Sequence, residues 1–207
     1  MNIYYCLVLI PIIFVINKIF IKKNFLLNFS GESHQKFASK NLTPLSGGFI
    51  LLVFFFLYLP KEIYDLLIFL SLFFILGISA DNNSIKSPLS RMLIQLIIIL
   101  ALIINFNLRI DDVRIFYLNY FLKFEIINYI FLVFCLLILI NGTNFIDGCN
   151  TLVLGYYILV TIILLKLDLF SGIEMNNYFI FNFLLTLSIL YLFNLFNKLF
   201  LGDNGVY

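Results

Sequence analysis

Seven apolar stretches, each close to membrane-crossing length, constrain this chain more than any other feature. They cover residues 3–21, 46–60, 63–79, 90–106, 126–141, 151–167 and 178–196. A membrane-spanning helix needs roughly 20 apolar residues. The 207 residues are 63% hydrophobic and 12% charged, and so few polar side chains cannot cover so much apolar surface in water. The pattern predicts an all-α, polytopic transmembrane helix bundle of about seven spans, forming a single domain over 1–207.

The basic residues predict the orientation of this bundle. No basic residue precedes the first stretch, and Lys18, Lys22 and Lys23 follow its centre without a cleavage site. The first stretch is therefore predicted to be an anchor with its N-terminus outside. Alternating the loops from there places eight basic residues inside and five outside, as the positive-inside rule expects.

The outer segment 107–125 alternates polar and apolar residues around a turn, which predicts a small β-hairpin on the membrane surface. An irregular loop fits the same pattern equally well. Asp111 and Asp112 lie beside Arg109 and Arg114 in this segment, so a solvated ion-pair cluster explains them and we do not predict a catalytic role.

Charge and cysteine content exclude several classes of function. The net charge of +2 is small and dispersed, whereas a nucleic-acid-binding surface needs clustered basic residues. Cys6, Cys135 and Cys149 show no CxxC spacing, so neither a disulfide framework nor a zinc site is indicated. Partners are expected in the membrane.

A polar helix end over residues 141–150, NGTNFIDGCN, follows one apolar stretch directly. Asn141, Asn144 and Asp147 are three residues apart and therefore share one helical face, before Gly148 ends the helix. Two amides and a carboxylate arranged in this way bind a nucleotide base, a ribose or a metal-bound phosphate. A capped helix end rich in asparagine is the alternative.

Two further carboxylates follow apolar stretches on the same predicted inner side. Asp81 lies just after the end of the third stretch, and Lys86 and Arg91 follow it in the chain. This segment therefore combines a carboxylate with cations that can bind phosphate. Asp203 lies between two glycines in LGDNG, where backbone and carboxylate can both approach an ion closely. Ordinary caps and turns explain each feature nearly as well when it is taken alone.

The segment 30–48 contains the only histidine, His34, followed by Lys36 and Lys40. It ends at Gly47-Gly48, where the second stretch begins. A helix start with exposed amides and nearby lysines suits phosphate, although a single histidine is more often an ordinary surface residue.

Taken in chain order, these segments resemble the polyprenyl-phosphate N-acetylhexosamine-1-phosphate transferase family, glycosyltransferase family 4. The motifs are a histidine before a proline and Gly-Gly, an aspartate followed by SPLSR and Gln95, then NGTNFIDG and FLGDNG. The resemblance implies transfer of a sugar-1-phosphate from a UDP-sugar to polyprenyl phosphate, with release of UMP. It also implies a bacterial inner-membrane enzyme with a cytosolic active site, and it suggests a homodimer.

The resemblance assigns roles residue by residue. Asp81 resembles the carboxylate that activates the lipid phosphate, and Asn144 and Asp147 resemble residues on the nucleotide side. Asp203 resembles the ligand of Mg²⁺, with Asp147 as a second expected metal ligand. Asn141, Lys86, Arg91, His34 and Lys36 are the further expected substrate-binding residues.

Departures from the family pattern leave alternatives open. Asn82 follows Asp81 where the family commonly has a second aspartate, and Asn150 replaces the second aspartate of DGxDG. The chain stops at Tyr207, whereas the family continues with further helices and a histidine-containing loop. We therefore expect the N-terminal part of the family fold, with an inactive or partial membrane remnant as one alternative. An ion-coupled transporter is less favoured, because the span centres carry no charge.

Overall fold

Helices account for nearly all the regular structure in this protein. The structure, a computed structural model, describes residues 3–28, 42–147, 151–167 and 177–207. Within these ranges the α-helices are α1 Ile3–Lys22, α2 Gly47–Tyr58, α3 Leu66–Asp81, α4 Pro88–Asn105, α5 Phe116–Leu122, α6 Glu125–Ile146, α7 Leu152–Lys166, α8 Asn177–Leu195 and α9 Asp203–Val206. The described residues contain no strand, only an isolated antiparallel bridge between Leu27 and Pro44.

The predicted all-α class is confirmed, and each predicted apolar stretch contains one long helix. Among the residues that the structure describes, three helical segments are long and apolar enough to cross a bilayer by length and composition, namely Pro88–Asn105, Glu125–Ile146 and Tyr178–Leu195. Gly47–Tyr58, Leu66–Asp81 and Leu152–Lys166 are apolar but shorter. The chain is therefore a membrane protein, and a count of seven spans stays a prediction.

The β-hairpin predicted over 107–125 is wrong. Residues 108–115 are irregular and helix α5 follows them. The Asn119 side chain accepts a hydrogen bond from the Val113 N–H at 2.9 Å and donates one to Asp112. Side-chain hydrogen bonds to the neighbouring backbone favour turns and helix starts over strand pairing, so this asparagine explains why a helix replaces the second strand.

Helices α3, α4 and α6 share one buried apolar cluster. The start of α4 is defined by Pro88 in its first turn and by Ser87, whose hydroxyl lies 3.5 Å from the Ser90 nitrogen; both are typical of helix starts. Ile99 and Ile103 are almost fully buried against this cluster, whereas Ile97 is 65% exposed. Apolar residues on both faces of a helix are expected where lipid replaces water as the solvent.

The short helix α9 lies between the start of α2 and the end of α3, and glycines make this position accessible. A Cβ atom at Gly77 would lie 2.5 Å from the Asn204 nitrogen, and one at Gly48 would overlap the Asn204 backbone. Real Cβ contacts are not this short, so both helices need glycine where α9 crosses them. This packing places Asp203 beside the ends of α3 and α6.

We predict that Gly77→Ala destabilises the protein by about 1–3 kcal/mol, because the added methyl group must displace the α9 backbone. Gly142→Ala is the matched control: it is also a helical glycine, but nothing lies within 4 Å of its Cβ position. The control is expected to gain about 0.5–1 kcal/mol from helix propensity. Thermal unfolding in detergent, followed by circular dichroism, measures both; equal melting temperatures would contradict the tight crossing.

Candidate active site

Four of the predicted site residues line one polar cavity at the ends of apolar helices. This cavity, which we call the acidic cavity, has a volume of about 390 Å³, and its lining includes Asp81, Asn144, Asp147 and Asp203. Asp81 ends α3, Asn144 and Asp147 lie in and just after the last turn of α6, and Asp203 begins α9. Three helix ends therefore bring together carboxylates that are up to 122 residues apart in the chain.

Asp81 holds the turn that carries Asp203. One of its carboxylate oxygens accepts a hydrogen bond from the Asp203 N–H at 2.9 Å. The other accepts from the Asn204 N–H at 3.2 Å and from the Asn204 side-chain amide at 2.6 Å. Because both oxygens are engaged by the chain itself, the geometry makes Asp81 a cap on the first turn of α9.

Asn204 is a site residue that the sequence analysis did not single out. It is 6% exposed, and its amide donates to the Leu45 carbonyl at 3.1 Å in addition to Asp81. It therefore ties α9 to both α3 and the segment before α2. The preceding Gly202 adopts a φ of +70°, and a Cβ there would lie 2.9 Å from Asp81 Oδ2, so only glycine suits this turn.

Asp203 itself is held by a cation and a phenol. Arg91 Nη1 lies 3.1 Å from Asp203 Oδ2, and the Tyr207 hydroxyl donates to the same oxygen at 3.1 Å. The Asn144 amide in turn donates to the Tyr207 hydroxyl at 3.1 Å. Burial, followed by the charge of Asp203, raises the pKa of Tyr207 to about 12, so its hydroxyl stays a neutral donor at physiological pH. Tyr207 was not among the residues predicted to form the site.

Asp147 differs from the other two carboxylates. No hydrogen bond or ion pair joins its side chain to any other residue that the structure describes. Burial raises the pKa of Asp147 to about 7, and the charges of Asp203 and Asp81 add to this effect. Carboxylates that repel each other in this way are stabilised by a shared cation.

Asn141 belongs to a neighbouring cavity. It donates to the Gln95 side-chain oxygen at 2.9 Å, and Gln95 is fully buried with an amide nitrogen that has no partner among the described residues. The neighbouring cavity measures about 360 Å³, and its lining includes Arg91, Asn141, Asn144 and Tyr207. Asn144 lines both cavities, and Arg91 of the neighbouring cavity is paired with Asp203 of the acidic cavity.

The remaining predicted residues are not brought into either cavity by the described structure. Lys86 is exposed on the loop between α3 and α4 and lines neither cavity. His34 and Lys36 lie outside the described residues, as do Gly148 and Asn150.

The donor atoms of the acidic cavity are oxygens and fit a hard cation. Among the described residues, no group of three or more histidine, cysteine or acidic side chains is arranged to hold a metal ion. Mg²⁺ is commonly bound by one or two carboxylates together with water and substrate phosphates. Asp147 and Asp203 are the two carboxylates available for that mode, since Asp81 is occupied by α9.

The site is a cavity of carboxylates and amides at the ends of membrane helices, and an arginine lies next to it. The chain is thus a membrane protein with a polar site suited to phosphorylated ligands. A family model described as glycosyl transferase family 4 matches residues 63–207, which include both cavities' charged residues. The chain belongs to this family, and it is accordingly a transferase of the kind that joins a sugar phosphate to a polyprenyl phosphate. No curated protein and no solved structure matches the chain.

We predict that Asp81→Asn loosens the α9 turn selectively. An asparagine places an amide donor against the Asn204 amide, so one charged hydrogen bond is lost at about 1.5–3 kcal/mol. Hydrogen–deuterium exchange of the detergent-solubilised protein should accelerate at residues 203–206. The control is Asp111→Asn, because Asp111 is an exposed carboxylate far along the chain from this turn; its loss should leave the exchange at residues 203–206 unchanged. If exchange at these residues were also unchanged in Asp81→Asn, Asp81 would not hold the turn.

Proposed function

We propose that this protein transfers a sugar-1-phosphate, with an N-acetylhexosamine as the sugar, from a UDP-sugar to undecaprenyl phosphate. The reaction releases UMP and starts a lipid-linked glycan of the bacterial cell envelope. The observation that carries the proposal is the cavity containing Asp81, Asp147 and Asp203, which lies next to Arg91 within the region of the family match.

The proposed reaction is a single phosphoryl transfer. An oxygen of the lipid phosphate forms a bond to the sugar-bearing phosphorus of the UDP-sugar. The bond from that phosphorus to the bridging oxygen breaks, and UMP leaves with that oxygen. Phosphoryl transfer depends mainly on positioning and on neutralising charge, so the protein must hold two phosphorylated substrates together.

Some of these side chains bind substrate or a cation, and others position the side chains that do so. Arg91 offers positive charge, and the Asn144 amide and the Asn141 side-chain oxygen offer directed hydrogen bonds to the nucleotide side. Asp147 has a raised pKa and no described partner, so it is available to accept a proton or to bind a cation. Asp81 fixes the direction of Asp203 through the α9 turn. Mg²⁺, when bound by Asp147 and Asp203, would supply neutralising charge to the diphosphate.

An apolar cavity supports a lipid acceptor. It measures about 290 Å³, and its lining includes Leu52, Phe55, Leu70, Phe74 and Val206. Leu52 and Phe55 lie more than one helical turn from the start of α2, Leu70 and Phe74 lie more than one turn from the end of α3, and Val206 belongs to α9. A short part of an isoprenoid chain has the chemistry to occupy it while its phosphate reaches the acidic cavity.

The cellular setting follows from the same proposal. UDP-sugars are soluble and are supplied from the cytosol, so the acidic cavity faces the cytosol of an inner-membrane protein whose N-terminus is outside. A homodimer remains a prediction from the family resemblance.

Membranes containing the protein are expected to release UMP from a UDP-N-acetylhexosamine only when undecaprenyl phosphate and Mg²⁺ are both present. Asp203→Asn and Asp147→Asn should each reduce the rate at least about 100-fold, the effect of removing one electrostatic group from an active site. UMP release measured by chromatography tests this.

Asp111→Asn is the control for loss of one carboxylate, because Asp111 is exposed and lines neither cavity. It should retain the full rate. Release of UMP without the lipid phosphate would point to a hydrolase, and normal turnover by Asp203→Asn would refute the site assignment.

A further inference from the structure

Helix α5 presents an aromatic face that the transferase reaction does not explain. The five aromatic residues on and just after it are all more than half exposed: Phe116 82%, Tyr117 77%, Tyr120 60%, Phe121 51% and Phe124 54%. Their spacing places them together along one side. Leu118 and Asn119 are half-buried and Leu122 is buried on the other side. Exposed aromatic patches of this kind mark a contact with another phase or molecule.

The position of α5 restricts what it can contact. It lies between α4 and α6, and both neighbours are long and apolar enough to cross a bilayer. The segment between them must therefore emerge at one membrane surface. Ile104 near the end of α4 and Ile126 at the start of α6 are 59% and 74% exposed, so both neighbouring helices also expose apolar side chains next to this segment.

The segment is built to hold this face in place. Asn128, which is 3% exposed, accepts a hydrogen bond from the Ile110 N–H and donates to the Ile110 carbonyl. It also donates to the Leu122 carbonyl at 2.9 Å. A single buried amide thus joins the loop and the end of α5 to α6, and α5 cannot turn its aromatic face inward without breaking these bonds.

We propose that α5 is an interfacial helix whose aromatic face is buried at the boundary between lipid headgroups and acyl chains. Tyr117 and Tyr120 suit this boundary, because their rings contact acyl chains while their hydroxyl groups reach the headgroups, and the phenylalanine rings add apolar contact area. The segment carries three basic and three acidic residues, Arg109, Arg114, Lys123, Asp111, Asp112 and Glu125. Its charges cancel, so aromatic burial and not attraction to anionic lipid holds it there.

The chain contains no tryptophan, so one introduced tryptophan reports its own surroundings. Tyr120→Trp and Phe116→Trp report on the aromatic face. Ile97→Trp reports on the exposed middle of α4, and Ser84→Trp reports on the polar loop at the other end of that helix. Each full-length variant is reconstituted into phosphatidylcholine vesicles whose acyl chains are brominated either near the headgroup or near the chain end.

Tyr120→Trp and Phe116→Trp should lose most of their fluorescence with bromine near the headgroup and less with bromine near the chain end. Ile97→Trp should show the reverse order, and Ser84→Trp should lose little with either lipid. The α5 variants should give the same quenching when anionic lipid replaces part of the phosphatidylcholine.

Three results would overturn the proposal. Red-shifted, unquenched emission from both α5 variants would place the face in water. Blue-shifted emission that neither brominated lipid quenches would place it against protein, such as a second copy of the chain. Quenching that requires anionic lipid would show that charge, and not aromatic burial, holds the helix at the membrane.

Discussion

The hydrogen bonds between Asp81 and the first turn of α9 are the interaction on which the rest of the site depends. They connect the end of α3 to a turn more than 120 residues later, and they form only because Gly48 and Gly77 allow that turn to approach the helices closely. The backbone N–H groups that donate to this buried carboxylate offset part of the free-energy cost of removing it from water. Asp203 takes its position from this contact and reaches Arg91 and Tyr207 only as a result.

This arrangement separates three aspartates that look alike in the sequence. Asp81 is engaged by α9, Asp203 by Arg91 and Tyr207, and Asp147 by no other described side chain. A cavity with one unengaged carboxylate of raised pKa is adapted to receive a cation or a proton with its ligand. The chemical difference between the three groups therefore arises from their partners and not from their type.

The helices and the grouping of the aspartates at helix ends could be predicted from the sequence, because apolar runs and helix ends are local features. The three-residue spacing of Asn141, Asn144 and Asp147 likewise predicted a helix that continues past the apolar run, and α6 does extend to Ile146. Asn204 and Tyr207 were missed because their roles depend on contacts with Asp81 and Asn144, which no local pattern encodes. The hairpin prediction failed because alternation over a few residues does not distinguish a strand from a short helix whose Asn119 side chain binds the preceding loop.

The two ends of the bundle are stabilised by buried amides in similar ways but for different purposes. At the site end, Asn204 joins α9 to Asp81 and Leu45, and Asn194 donates to the Leu199 carbonyl. At the other end, Asn128 joins α5 to α6. Each of these amides donates to a backbone carbonyl of another segment, and breaking such a bond inside an apolar bundle leaves a polar group without a partner. Through these bonds the amides fix loops whose positions the apolar contacts between helices do not specify.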